Sequence, residues 1–138
     1  MIVKNITFYA VLIFLSLFFV AQSQAKMNSE TGIDVELSEQ KLDSVYTAVI
    51  EQYEDNPEFI TSLKKAQQAW ITFRDAHLES VYPGKCKQTK YGSVYPSCVS
   101  NLLIQLNEQR TAQLRKWLEG TEEGDVCSGS IKLSSQLP

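Results

Sequence analysis

The sequence predicts an all-α fold: an antiparallel helical hairpin with a third helix packed on it, forming a small helical bundle. Apolar residues recur every three to four positions in three separate segments, which is the spacing of one helical face. A Pro-Gly pair separates the second segment from the third, and no segment alternates as a strand does. Because each helix must bury its apolar stripe, we expect the three helices to share one seam.

Residues 1–25 have the three-part pattern of a secretory signal peptide. Lys4 precedes an apolar run over residues 6–20, and small residues lead to a cleavage site after Ala25. The alternative is a retained membrane anchor, because a run of this length nearly spans a bilayer. The polar residues after Ala25 favour cleavage. The cleavage site has no cysteine, so a lipid anchor of the bacterial lipoprotein type is not expected. We therefore expect a periplasmic or secreted protein without a stable membrane anchor.

Residues 26–34 are polar and predict a flexible lead-in to a helical domain over residues 35–120. The first helix is expected from about Val35 to Glu54. Its stripe recurs at helical spacing over Leu42, Val45, Tyr46, Val49 and Tyr53.

The second helix has the clearest start and end signals. Asn56 is a cap residue and Pro57 suits the first helical position, while Pro83 and Gly84 end the segment after about Val81. Its apolar stripe consists of Phe59, Leu63, Ala66, Trp70, Phe73 and His77. We expect this helix to form the hairpin with the third helix and to place Trp70 in the core.

A long loop over residues 83–96 precedes the third helix. Ser97 is expected to cap that helix and Gly120 to end it. Its stripe is Val99, Leu103, Leu106, Leu114 and Trp117, and we expect Trp117 to join Trp70 in the core. The remaining residues 121–138 are rich in Gly and Ser and predict an irregular tail.

The charge balance excludes a general nucleic-acid binder. The 138 residues carry a formal net charge of −3. Removal of the signal peptide takes away the cation Lys4 and makes the charge more negative by one. Affinity for phosphate comes from Lys and Arg, which acids outnumber here. The acidic surface either keeps the domain soluble or steers a basic protein partner towards it.

Cys86, Cys98 and Cys127 predict one disulfide and one remaining thiol in an oxidising compartment. The favoured pair is Cys86–Cys98, because both flank one loop. The alternative, Cys98–Cys127, requires the tail to return along nearly the whole third helix. No metal site is expected, because the single His77 lies on a helix face and a fourth ligand is missing.

Arg110 interrupts the apolar stripe of the third helix between Leu106 and Leu114. A charge on a packed seam needs a partner, since an unpaired buried charge is costly. The first interpretation is a structural ion pair that fixes the helix register, with Asp75 as the first choice of partner and Glu79 or Glu108 in reserve. The second interpretation is an exposed anchor for the backbone or the acidic groups of a partner.

The 83–96 loop is the best candidate for partner binding. It concentrates Lys85, Lys87 and Lys90 with Tyr91 and Tyr95, and long loops are disproportionately functional. The alternative is a solvated crossover held by its own disulfide.

No catalytic pattern stands out in the sequence. Nucleophilic catalysis requires a base beside a Ser or Cys and an orienting group, and this arrangement is absent from the sequence. His77 on an apolar face is more simply a core or boundary residue. We expect a non-enzymatic protein without a cofactor.

Two stretches resemble a known family. The segment over residues 66–75, with Trp70, Phe73, Arg74 and Asp75, resembles the AQxAWxxFRD signature of the LprI-like family of exported bacterial proteins. Cys98 and the segment over residues 106–114, with Arg110 and Leu114, resemble the second signature of that family. The resemblance implies a small, exported, largely helical protein and names lysozyme inhibition as the activity of the founding member.

The chain departs from the family pattern at two positions. His77 stands where members commonly carry a Cys that pairs with the equivalent of Cys98, so Cys86 or Cys127 must substitute. Asn107 replaces a common Thr.

The expected function is periplasmic binding of a protein, with inhibition of a lysozyme-like muramidase as the specific hypothesis. The alternative is an envelope structural or stress-response protein that binds another periplasmic protein. An enzyme is the remaining rival.

Overall fold

The computed structural model describes residues 32–137, which form an all-α bundle. Helix α1 covers residues 32–52, α2 covers Pro57–Val81, α3 covers Lys87–Tyr91 and α4 covers Tyr95–Glu119. A short 3₁₀ helix, Ser134–Gln136, follows in the tail. Within the described range no β-strand forms, apart from one isolated parallel bridge between Thr121 and Leu133.

The three long helices run up, down and up. Gln67 of α2 contacts Arg110 of α4, and Phe59 lies 5.9 Å from Trp117 between ring centroids, so rising numbers on α4 meet falling numbers on α2. The hairpin of α2 and α4 is therefore antiparallel, as predicted. The predicted third packed helix is α1, which lies across both partners.

The core is assembled from the stripes of all three helices. Its buried apolar residues are Leu42, Val49, Tyr53, Phe59, Leu63, Leu106 and Leu114. Trp70 and Trp117 pack against this cluster but remain half-buried, so they lie at the core edge rather than in its centre.

Helix α1 begins earlier than the sequence predicts. Residues 32–34 of the predicted flexible lead-in are already helical, and the helix ends at residue 52 rather than at Glu54. The predicted signal peptide and residues 26–31 of the lead-in lie outside the described residues.

The buried stripe of α2 differs from the predicted one from Ala66 onwards. Ala66 and Phe73 are exposed, Phe73 at 55%, while the neighbouring Gln67 is buried and Arg74 is half-buried. The predicted stripe followed a period close to 3.5 residues, whereas an α-helix has 3.6 residues per turn. This difference amounts to about 20° per heptad, or about half a position over residues 59–77, and the polarity of Gln67 and Arg74 concealed the rest of the shift.

Helix α4 begins at Tyr95, so the predicted cap at Ser97 is wrong. Pro96 lies in the first turn, where a missing backbone N–H removes no intrahelical bond. Ser97 lies inside this turn, and its buried hydroxyl has no hydrogen-bond partner among the described residues. The predicted end at Gly120 is confirmed.

The irregular tail folds back onto the end of the bundle through Tyr53. The buried Tyr53 hydroxyl donates to Trp117 O at 3.2 Å and accepts from Lys132 N at 2.8 Å. Trp117 O is one of the last carbonyls of α4, which lack intrahelical partners. Lys132 Nζ also donates to Gln52 O at 2.9 Å and to Asp55 at 3.2 Å. One buried phenol thereby joins α1, α4 and the tail.

Among the described helices, none is both long and apolar enough to cross a membrane.

Replacement of Leu114 by Ala tests the core. Leu114 is fully buried at the seam of the three helices. Loss of this side chain should lower the free energy of unfolding by about 2 to 5 kcal/mol, measured by urea denaturation. Val126→Ala is the control, because Val126 is 95% exposed and should unfold like the wild type. Equal stability of the two variants would contradict the assigned core.

Replacement of Gly120 by Ala tests how the tail docks. Gly120 has φ +76° and ψ −174°, a region open almost solely to glycine. An added Cβ would also lie 2.8 Å from Ser134 Cα. Gly129→Ala is the matched control, since Gly129 has φ +61° but open space around it.

We expect Gly120→Ala to lower the free energy of unfolding by about 1 to 3 kcal/mol from backbone strain. The loss should exceed that of Gly129→Ala, because the added Cβ of Gly120→Ala also meets Ser134. A larger effect at Gly129 would be inconsistent with the described docking of the tail.

Candidate functional site

The loop between α2 and α4 contains helix α3, which the sequence did not predict. Tyr82, Tyr91 and Tyr95 form a tyrosine cluster at its base. Tyr82 meets both other rings edge-on at 5.3 Å, and Tyr91 stacks on Tyr95 at 5.9 Å. The Tyr91 hydroxyl also donates to Pro83 O at 3.1 Å. Five residues are too few for a periodic pattern to reveal such a helix.

Two of the three loop lysines are engaged by neighbouring groups. Lys87 forms an ion pair with Glu79 of α2, which lowers the pKa of Glu79 and raises the pKa of Lys87 through their hydrogen bond. Lys90 donates to Pro83 O at 3.1 Å and lies 5.0 Å from the centre of the Tyr91 ring. Lys85 is exposed and has no polar side-chain partner among residues 32–137. The loop thus holds two cations in place and leaves one projecting.

The sequence-predicted binding residues therefore come together in space. The surface around α3 is shared by Lys87, Lys90, Tyr91 and Tyr95. Lys85 lies two residues before the first residue of α3. Tyr82, which flanks the loop, is half-buried among them, and burial is the main cause of its raised pKa. The fold fixes this loop at the end of the bundle formed by the C-terminus of α2 and the N-terminus of α4.

All three cysteines are free and exposed in the structure. Neither the favoured Cys86–Cys98 bridge nor the alternative Cys98–Cys127 bridge is formed in it. Cys86 precedes α3 directly, and Cys98 lies in the first turn of α4 beside Tyr82. A disulfide in the oxidised protein stays a prediction.

The first family signature forms a charged and aromatic surface on α2. Arg74 pairs with Asp75 at 2.9 Å, and its guanidinium lies 5.5 Å from the Trp70 ring centre. Arg74 also lies 3.8 Å from Glu39 of α1. The exposed Phe73 ring stacks on His77 at 5.5 Å.

The predicted ion pair between Asp75 and Arg110 is wrong. Asp75 is held by its neighbour Arg74, whereas Arg110 Nε donates to Gln67 Oε1 at 2.9 Å. Arg110 also donates to Gln113 Oε1 at 3.2 Å. In the antiparallel register Arg110 contacts Gln67, which lies eight residues, or about two helical turns, before Asp75 on α2. The Asp75 carboxylate is therefore too far along α2 to reach Arg110. Burial lowers the pKa of Arg110 from its usual value.

A buried polar contact between α1 and α4 is not predicted by any pattern in the sequence. Asn107 is fully buried, and its amide donates to Ser38 Oγ at 2.9 Å. Ser38 in turn donates to Val35 O at 2.7 Å, and Thr111 donates to Asn107 O at 2.7 Å. The signal available in the sequence was Asn107 itself, a polar residue beside Leu106 at a position where members of the resembled family commonly have Thr.

No group of three or more His, Cys, Asp and Glu that could hold a metal occurs in residues 32–137.

The described residues form a small all-α bundle built on an antiparallel hairpin, and this hairpin carries the two signature stretches. The family model described as "Lysozyme inhibitor LprI" matches residues 20–114, which is more than half of the chain. The chain belongs to the LprI family.

A curated relative matches a shorter range of the chain. An uncharacterized protein of Rhizobium meliloti (strain 1021) is 37% identical over 67 residues, which cover 46% of this chain and 42% of the relative. The chain thus spans less than half of the length of this relative. No solved structure matches.

The predicted disulfide is tested by Cys86→Ser. If Cys86 and Cys98 pair after export, peptide mapping of the oxidised wild type finds them linked, and Cys98 of the variant is alkylated as a free thiol. Cys127→Ser is the control and should leave the link intact. A Cys98–Cys127 peptide in the wild type would contradict the favoured pairing.

Proposed function

We propose that this protein is a non-enzymatic, exported binding protein that inhibits a lysozyme-like muramidase. The observation that carries the proposal is the basic, tyrosine-supported loop around α3, in a chain that belongs to the LprI family. The signal-peptide pattern of residues 1–25 supports export to the compartment where such enzymes act.

The charge of the loop complements a muramidase cleft. Enzymes that hydrolyse glycosidic bonds use a pair of carboxyl groups flanking the scissile bond. A lysine that enters this cleft would meet those groups and exclude the substrate. Lys85 projects without a polar side-chain partner in the described part of the chain, and Lys90 Nζ of the same loop donates to Pro83 O, two residues before Lys85.

The base of the loop supports a rigid presentation. The three tyrosine rings of the cluster contact one another, and the ion pair of Lys87 with Glu79 anchors α3 to α2. Pre-organisation of a binding segment lowers the entropy lost on association. Tyrosine is also enriched in protein interfaces, because its ring buries apolar area while its hydroxyl bonds at the rim.

The overall charge adds long-range attraction. The chain carries a formal net charge of −3, so a cationic lysozyme would be drawn towards it. The short loop then presents its lysines to the negative cleft itself. The two charge patterns therefore act at different distances.

The experiment measures lysis of bacterial cell walls by c-, g- and i-type lysozymes with excess purified protein. We expect inhibition of at least one type, and loss of at least about tenfold in potency for the double variant Lys85→Ala, Lys90→Ala. The matched control is Lys64→Ala, Lys65→Ala, which removes the same charge from the exposed face of α2. Undiminished lysis by all three enzymes would refute the proposal, as would equal potency of the two double variants.

A second candidate is an envelope protein that binds a different periplasmic partner. The observation that favours it is the exposed Phe73–His77 stack beside the Arg74–Asp75 pair on α2. An exposed aromatic next to a charged pair resembles the centre of a protein contact. A pull-down from periplasm separates the candidates, because this one predicts capture that Phe73→Ala abolishes and that contains no muramidase.

A further inference from the structure

Arg110 is a half-buried cation that only neutral groups contact. Its Nε and one terminal nitrogen donate to the side-chain amides of Gln67 and Gln113. No carboxylate of residues 32–137 lies within ion-pair distance of it. A partly desolvated charge without a counter-charge is costly, and a planar guanidinium in this state is suited to pairing with an incoming carboxylate.

Arg110 lines a groove between α2, α4 and the tail. The groove has a volume of about 220 Å³, and its apolar walls include Phe59, Leu63 and Trp117. Ser62 and Ser130 add hydroxyl groups. Ser130 Oγ accepts from Trp117 Nε1 at 3.0 Å, so its own proton is available to another acceptor.

The groove continues towards the N-terminus of α2. A second cavity of about 310 Å³ shares Phe59, Ser62 and Ser130 and reaches Asn56 and Glu58. Glu58 has no cationic partner among the described residues. The continuous groove therefore has a cation at one end, an anion at the other and an apolar floor between them.

The length of the groove fits a short extended peptide. Glu58 and Ala66, which line its two ends, are eight residues apart on α2 and hence about 12 Å apart along the helix axis. An extended chain covers about 3.3 to 3.6 Å per residue, so three to four residues span this distance.

We propose that this groove binds the free C-terminus of a peptide of three to four residues. The terminal carboxylate pairs with the Arg110 guanidinium, whose planar fork suits a carboxylate. The last side chain is apolar and packs on Phe59, Leu63 and Trp117. A basic group three residues earlier lies against Glu58. This site is at the opposite end of α4 from the α3 loop.

The test uses an acetylated tetrapeptide of lysine, glycine, alanine and leucine, with a free C-terminus, and isothermal titration calorimetry on the full mature chain. We expect saturable binding that C-terminal amidation weakens by at least about tenfold, since a hydrogen-bonded charge pair is lost. Arg110→Gln should weaken it equally. Arg115→Gln is the matched control, because it removes an exposed charge from the same helix and should have no effect.

Two further variants keep the test decisive if Arg110→Gln fails to fold. Ser62→Tyr, at an exposed position of α2, should fill the groove and abolish binding of the peptide. Glu58→Gln should weaken binding of the lysine peptide but not of its norleucine analogue. Equal binding of the acid and the amide, or binding of acetate as tight as that of the peptide, would overturn the proposal.

The proposed peptide site is independent of muramidase inhibition. The Lys85→Ala, Lys90→Ala variant should bind the tetrapeptide as the wild type does, because its substitutions lie at the other end of the bundle. Loss of inhibition with retained peptide binding would separate the two sites. Loss of peptide binding in this variant would contradict the placement of the groove ligand.

Discussion

The structure depends on how the seam between α2 and α4 accommodates the charge of Arg110. A cation that interrupts an apolar stripe must be solvated by the protein, because burial removes water from it. The amide oxygens of Gln67 and Gln113 do this at 2.9 and 3.2 Å without neutralising the charge. Gln67 is itself buried, so the contact holds the two helices in one register and leaves the positive charge uncompensated on the groove side.

This register distributes the surface features of the protein. It sets the C-terminus of α2 beside the N-terminus of α4, where α3 and the tyrosine cluster close the hairpin. It also sets the N-terminus of α2 beside Trp117 and the tail, which Tyr53 fastens through two hydrogen bonds. The bundle therefore has a basic, rigid loop at one end. At the other end it has the groove with Arg110 and Glu58 at its two ends.

Sequence periodicity was sufficient for the fold class and for the hairpin, because the buried stripes of α1 and α4 follow helical spacing closely. It failed from Ala66 onwards in α2, where Gln67 rather than Ala66 is buried, because the polarity of Gln67 concealed the buried face. The partner of Arg110 could not be predicted, because long-range pairing depends on an exact register that periodicity leaves undetermined. The docking of Lys132 on Tyr53 was equally hidden, as a Gly- and Ser-rich tail carries no periodic signal.

Nuclear magnetic resonance of the Arg110 side chain tests the central claim most directly. A hydrogen bond to Gln67 across the seam should slow solvent exchange of the Arg110 Nε–H and give cross-relaxation with the Gln67 side chain. The exposed Arg115 Nε–H, on the same helix, should exchange rapidly and serves as the internal reference. Equally rapid exchange at both arginines, or cross-relaxation from Arg110 to Asp75 instead, would contradict the account.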